Sequence, residues 1–179
     1  MTVLKDIDFR PAIMLGVNAF LFVLVSFLND SLAHVSIYVF ALSVFIVPAA
    51  LFLKFWQMIV CLVITGFFLE LAQPITRGIT PAIMMLSGIG VFYIREKFRN
   101  LDPMGVFTLF WVVNALLFVF ACVFLYPKGI LNFGAYVTRI LVDFVCSSLV
   151  IFLFSNFLLK VYRSVFYLCG FNLEIPEDA

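Results

Sequence analysis

The chain has 179 residues, 65% of them apolar and 12% charged, with a mean hydropathy of +1.21. Soluble domains carry about 45–50% apolar and about 25% charged residues, so a water-soluble globular domain is excluded. A formal net charge of +1 leaves no basic face for nucleic acid. The four cysteines, Cys61, Cys122, Cys146 and Cys169, are scattered and show neither disulfide nor metal-ligand spacing.

A spanning helix needs about 20 residues, because about 30 Å of hydrocarbon is crossed at about 1.5 Å per residue. Six such helices fit this chain and leave only short loops and tails. The expected fold is therefore an all-α integral membrane protein, a single transmembrane domain over residues 1–179 with about six transmembrane helices. Its functions are confined to the bilayer and its two faces.

The first span is predicted over 12–27, after a boundary at Arg10-Pro11. The apolar run Ala12–Leu28 has 17 residues, longer than the roughly 7–15 of a signal-peptide core, and reads as an uncleaved helix. Asn29-Asp30-Ser31 are expected to form a polar turn, followed by His34. The second span is predicted over 35–53, kinked at Pro48. Lys54 divides it from the third, 55–73, which opens with Trp56 at the interface that tryptophan prefers.

In the next link Thr80 reads as an N-cap and Pro81 as the first helical residue. The fourth span is predicted over 81–97. Its apolar part, Pro81–Ile94, is short for a bilayer, and Arg95 and Lys97 would lengthen it by snorkelling. Arg95, Lys97 and Arg99 form the most basic loop. The fifth span, 104–125, is followed by Tyr126-Pro127-Lys128-Gly129, and the sixth by a cytoplasmic tail, the two being predicted over 136–159 and 160–179. In this topology Lys5, Arg10, Lys54, Arg95, Lys97, Arg99, Lys160 and Arg163 share one face, against Arg77, Lys128 and Arg139 on the other. The excess of cations places both termini in the cytoplasm.

Few polar groups fall inside spans, where a charge costs at least about 2.5–3.5 kcal/mol at the helix centre. Counted along their helices, Glu70, Arg139 and Asp143 reach similar depth below the outer face, and Arg139 and Asp143 are spaced i, i+4. They are expected to form a polar cluster between the third and sixth helices, acting in packing or in coupling to a partner. Asn18 and Asn114 read as hydrogen-bonding glue between helices. Pro48, Gly66, Gly88 and Gly90 read as packing positions. No catalytic constellation is legible. His34 is the one histidine, no His-Glu-x-x-His helix exists, and only Asp143 among the aspartates lies clearly within a span. No metal, cofactor or enzymatic activity is expected.

Gly66-Phe67-Phe68-Leu69-Glu70-Leu71, followed by Arg77-Gly78-Ile79, resembles the third-helix region of MreD, the membrane subunit of the bacterial rod-shape system. The basic link Lys97-Phe98-Arg99-Asn100 and the long last helix ending at Lys160 and Arg163 fit the same family. The resemblance covers roughly Trp56 to Arg163 through a short, mostly apolar pattern, and Glu70 stands where the family usually has aspartate. It implies a non-enzymatic scaffold of the bacterial inner membrane, working with MreC and the peptidoglycan synthases of cell elongation. The alternative of another class is the substrate-binding subunit of an energy-coupling-factor vitamin transporter, similar in size, helix number and loop length. That role needs a pocket opening outward.

Overall fold

The computed structural model describes residues 8–71, 78–95, 103–124 and 133–171. These form six helices: α1 Arg10–Ala33, α2 Ser43–Phe52, α3 Phe55–Leu71, α4 Ile79–Ile94, α5 Pro103–Phe124 and α6 Phe133–Leu168. Three segments within them, Arg10–Ala33, Met104–Cys122 and Val137–Leu168, are long and apolar enough to cross a membrane. The chain is thus read as a multi-pass membrane protein. At one end of the bundle the start of α1 meets the residues that follow α6, with the Arg10 guanidinium 5.5 Å from the ring centre of Phe171. That end is called here the terminal end, and its opposite the far end.

Proline sets two of the starts. Pro11 in the first turn of α1 and Pro103 opening α5 occupy positions where a backbone N–H has no helical acceptor anyway. The terminal end is fastened by Asp8. Its carboxylate accepts from the Arg10 N–H at 3.1 Å and from Gln57 Nε2 on α3 at 3.0 Å, and lies 3.7 Å from Arg10 Nε. Partial burial alone would push this carboxyl up. The bonds from Gln57 and Arg10, with the charges of Arg10 and Lys54, outweigh it and hold the group below its ordinary 3.8. A depressed carboxyl contributes its stability above the unfolded value and loses it as pH falls through the folded one. Asp8→Asn should therefore lower the melting temperature at neutral pH, with the difference from wild type vanishing below about pH 3. Thermal melts in detergent across that pH range check the prediction.

The largest departure from expectation is the second span. Only Ser43–Phe52 is helical, 10 residues or about 15 Å, half a bilayer core. Residues 37–42 before it carry no helix. Two causes are local. α1 does not stop at Phe27 but continues through Asn29-Asp30-Ser31, which are helical and not the expected turn. It closes one turn later, where the N–H of Ser36 bonds Ala33 O and that of Ile37 bonds Leu32 O, with Ser36 in the left-handed region at φ 57. The run Val35-Ser36-Ile37-Tyr38-Val39-Phe40 is then β-branched and aromatic, a composition that favours extended backbone.

Every residue of α2 is buried. It touches α3, α4, α5 and α6 and forms the axis of the bundle. Pro48 lies inside it and removes one helical N–H. Around this axis α3 and α4 make an extensive hairpin, α5 and α6 a second, and α1 packs on α3 and α6. α4 begins at Ile79, with Gly78 as its N-cap and not Thr80. α6 also exceeds expectation, running through Lys160 and Arg163 to Leu168 and closing at Gly170, so the first part of the expected tail is helix. At 36 residues it is about 54 Å long.

Candidate functional site

Non-helical backbone within an apolar bundle needs acceptors and donors, because each buried unpaired group costs about 1–3 kcal/mol. Residues 38–40 and the Ser43 N–H obtain them from side chains of three helices. Asn29 on α1 pairs with Val39 on both sides, Oδ1 accepting its N–H at 2.8 Å and Nδ2 donating to its carbonyl at 3.2 Å. The amide thus does what a neighbouring strand would do. Asp143 on α6 accepts the Tyr38 N–H at 2.9 Å, and Ser147, one turn along, accepts the Phe40 N–H at 2.8 Å. The Ser147 hydroxyl donates in turn to the Asp143 carbonyl. From α5, Asn114 donates to the Phe40 carbonyl at 2.7 Å and accepts the Ser43 N–H at 3.4 Å. Asp143 is 1% exposed, and its second carboxylate oxygen has no hydrogen-bond partner among the described residues.

Glu70 is not part of this arrangement. Its two oxygens each accept a backbone N–H at 2.8 Å, from Gly78 and from Thr80, so that a side chain of α3 caps the first turn of α4. A carboxylate there also meets the positive end of the helix dipole. Gly78 has φ 91, the left-handed conformation that glycine adopts without strain. Glu70→Ala should cost about 0.5–2 kcal/mol, and Glu70→Gln, which keeps one acceptor, less. Unfolding titrations in mixed micelles separate the two.

The expected cluster of Glu70, Arg139 and Asp143 is therefore divided. Neither carboxylate lies within ion-pair distance of Arg139, which is exposed near the start of α6. Position along a helix does not fix direction around its axis. α3 and α6 instead share α1 and α2 as neighbours.

The remaining positions have distinct surroundings. Asn18 donates to Thr65 Oγ1 of α3 at 3.0 Å and accepts the Tyr162 hydroxyl of α6 at 2.7 Å, joining three helices in a buried network. A Cβ on Gly66 would stand 2.5 Å from Pro81 Cα, and one on Gly88 would strike the Leu62 side chain, so both glycines permit the close approach of α3 and α4. Gly90 faces open space, with nothing within 4 Å, and is no packing position. Arg95 is not a solvated loop cation. It is 7% exposed, donates to Leu53 O at 3.1 Å and lies 3.8 Å from the ring centre of Phe92. It thereby satisfies a carbonyl at the C-terminal end of α2, where positive charge is favoured. Lys97 and Arg99 fall outside the described residues.

Sequence reasoning missed Asn29 and Ser147. Both were legible only as polar residues, because the groups they serve are backbone atoms of a segment read as helix. No known family, characterised protein or solved structure matches the chain.

Proposed function

We propose that the protein is a non-enzymatic scaffold of the MreD kind, seated in the bacterial inner membrane and working with MreC and the peptidoglycan synthases of cell elongation. The observation that carries this reading is the corner between α3 and α4. Gly66, Glu70 and Gly78, on which the resemblance rests, act there as one unit. Gly66 admits Pro81, while Glu70 binds the N–H groups of Gly78 and Thr80. The acidic residue of the motif is then a helix cap, and its carboxylate serves the corner whether aspartate or glutamate supplies it.

The placement of cations supports cytoplasmic termini. Arg10 and Arg163 lie at the terminal end. So do Lys54 and Arg95, since Arg95 bonds Leu53 and Phe52 packs on Phe166 near the end of α6. Arg139 lies at the far end. A scaffold of this kind presents helix faces to its partners, and large apolar residues such as Leu149, Phe152, Leu153 and Phe157 on α6 are exposed.

The test is affinity purification of the tagged full chain in mild detergent, with copurifying proteins identified by mass spectrometry. MreC or the elongation synthases should be recovered. Recovery of a transporter energising module, or of a tightly held vitamin, would replace this reading with the transporter one.

A further inference from the structure

The α6 helix carries its own measure of the bilayer. Between Arg139 and Lys160 lie the 20 residues Ile140–Leu159, about 30 Å of helix and the thickness of a hydrocarbon core. The one acid among them, Asp143, is buried. Arg163 then stands about 5 Å beyond the hydrocarbon at the terminal end, in the headgroup layer. Lys160 and Arg163 are both exposed, and among the described residues no acid lies within ion-pair distance of either. Arg10, at the same end, has Asp8 beside it.

Next to Arg163 the end of the helix is folded into a groove. Gly170 closes α6 in the left-handed conformation at φ 81, its N–H bonding Tyr167 O, and the Phe171 N–H bonds Phe166 O at 3.0 Å. Phe171 is thereby turned back along the helix, and the Arg10 guanidinium packs against its ring. Arg163, Ser164, Tyr167, Leu168 and Phe171 line an open groove of about 520 Å³. That volume is in the range of small-ligand sites, about 300–1,000 Å³. The hydroxyls of Ser164 and Tyr167 make no hydrogen bond among the described residues. The groove therefore offers a guanidinium, two hydroxyls and an aromatic wall, and its lining includes no acid.

This composition selects a ligand. A guanidinium binds phosphate through paired N–H donors, and the hydroxyls suit a hydroxylated group attached to that phosphate. On the other side of Arg163, toward the far end, the same face of α6 is apolar. Leu153, Leu149 and Val145 are all exposed and follow helical spacing away from it. A molecule that fits both halves has an anionic, hydroxylated head and a long apolar tail.

We propose that the groove binds an anionic phospholipid of the phosphatidylglycerol type, in the leaflet at the terminal end. Its phosphate pairs with Arg163, and Lys160, one turn nearer the hydrocarbon, adds a second positive charge. Its headgroup hydroxyls meet Ser164 and Tyr167, and its acyl chains run along Leu153, Leu149 and Val145. The site rests on the membrane reading of α6 and is independent of the scaffold reading.

The full chain is reconstituted in nanodiscs of equal parts phosphatidylglycerol and phosphatidylcholine. Lipids retained on the released protein are counted by native mass spectrometry for wild type, Arg163→Gln, Tyr167→Ala and Lys54→Gln. Lys54 is an exposed cation at the same end but outside the groove. Phosphatidylglycerol should be enriched on the wild type, and Arg163→Gln should cut that enrichment about fivefold, the effect of one basic residue at an anionic surface. Tyr167→Ala should lower it as well, whereas Lys54→Gln should leave it nearly unchanged. Melting temperatures in phosphatidylcholine alone, expected to be equal for all four, separate lost binding from lost fold. No enrichment on the wild type, or an equal loss in Arg163→Gln and Lys54→Gln, overturns the proposal. Enrichment that appears only when Glu174, Glu177 and Asp178 are replaced by their amides gives the groove to the acidic end of the chain and overturns it too.

Discussion

Asn29→Leu is expected to destabilise the protein by about 2–4 kcal/mol, since it strips both the N–H and the carbonyl of Val39 of their partners at once. The two groups belong to a segment with no helix of its own to fall back on. Val39 is itself 2% exposed, so water cannot take the place of the lost amide. Asn29→Asp keeps the acceptor and loses the donor, and should fall between wild type and leucine. Reversible unfolding in mixed micelles, followed by the fluorescence of Trp56 and Trp111, measures all three. A leucine variant within about 0.5 kcal/mol of wild type would mean that the segment is held by α5 and α6 alone.

The second large effect concerns the contact between α3 and α4. Gly66→Ala places a methyl group 2.5 Å from Pro81 Cα, and the obstacle is backbone that cannot rotate away. Overpacking of this kind costs about 1–3 kcal/mol and at times more. It should also loosen the Glu70 cap, because the two helices must separate to admit the methyl. Gly90→Ala is the matched control. Nothing lies within 4 Å of its Cβ, so only helix propensity changes, a gain of up to about 1 kcal/mol. If both alanines had the same effect, the close approach at Gly66 would carry no weight in stability.

Much of the helix order is legible in the apolar runs and the prolines that punctuate them. α3, α4 and α5 fall within a few residues of their predicted bounds. The start of α2 is not legible, because residues 37–42 are apolar and only the partners of residues 38–40 hold them out of a helix. Those partners lie far along the chain, Asn114 and Ser43 being 71 residues apart and Ser147 and Phe40 107. Glu70 and Asp143 were singled out as intramembrane acids, but as partners of a cation. Glu70 instead accepts two backbone N–H groups and Asp143 one, a pairing that leaves no trace in residue types. Arg95 was misjudged for a related reason: a basic residue at a helix end looks solvated until the neighbouring carbonyl of Leu53 is known to point at it.

The clamp on residues 37–42 also sets an order of events during biogenesis. Tyr38 finds its acceptor on a residue 105 positions later. At about 5–20 residues per second, about 5–20 s of translation separate the two. Throughout that interval the segment has neither its own helical hydrogen bonds nor those of α6, and so cannot rest against lipid. It must wait in the translocation channel, at the membrane surface or beside a chaperone until α5 and α6 arrive. The native hydrogen bonds of this segment are consequently completed only once α6 has been made.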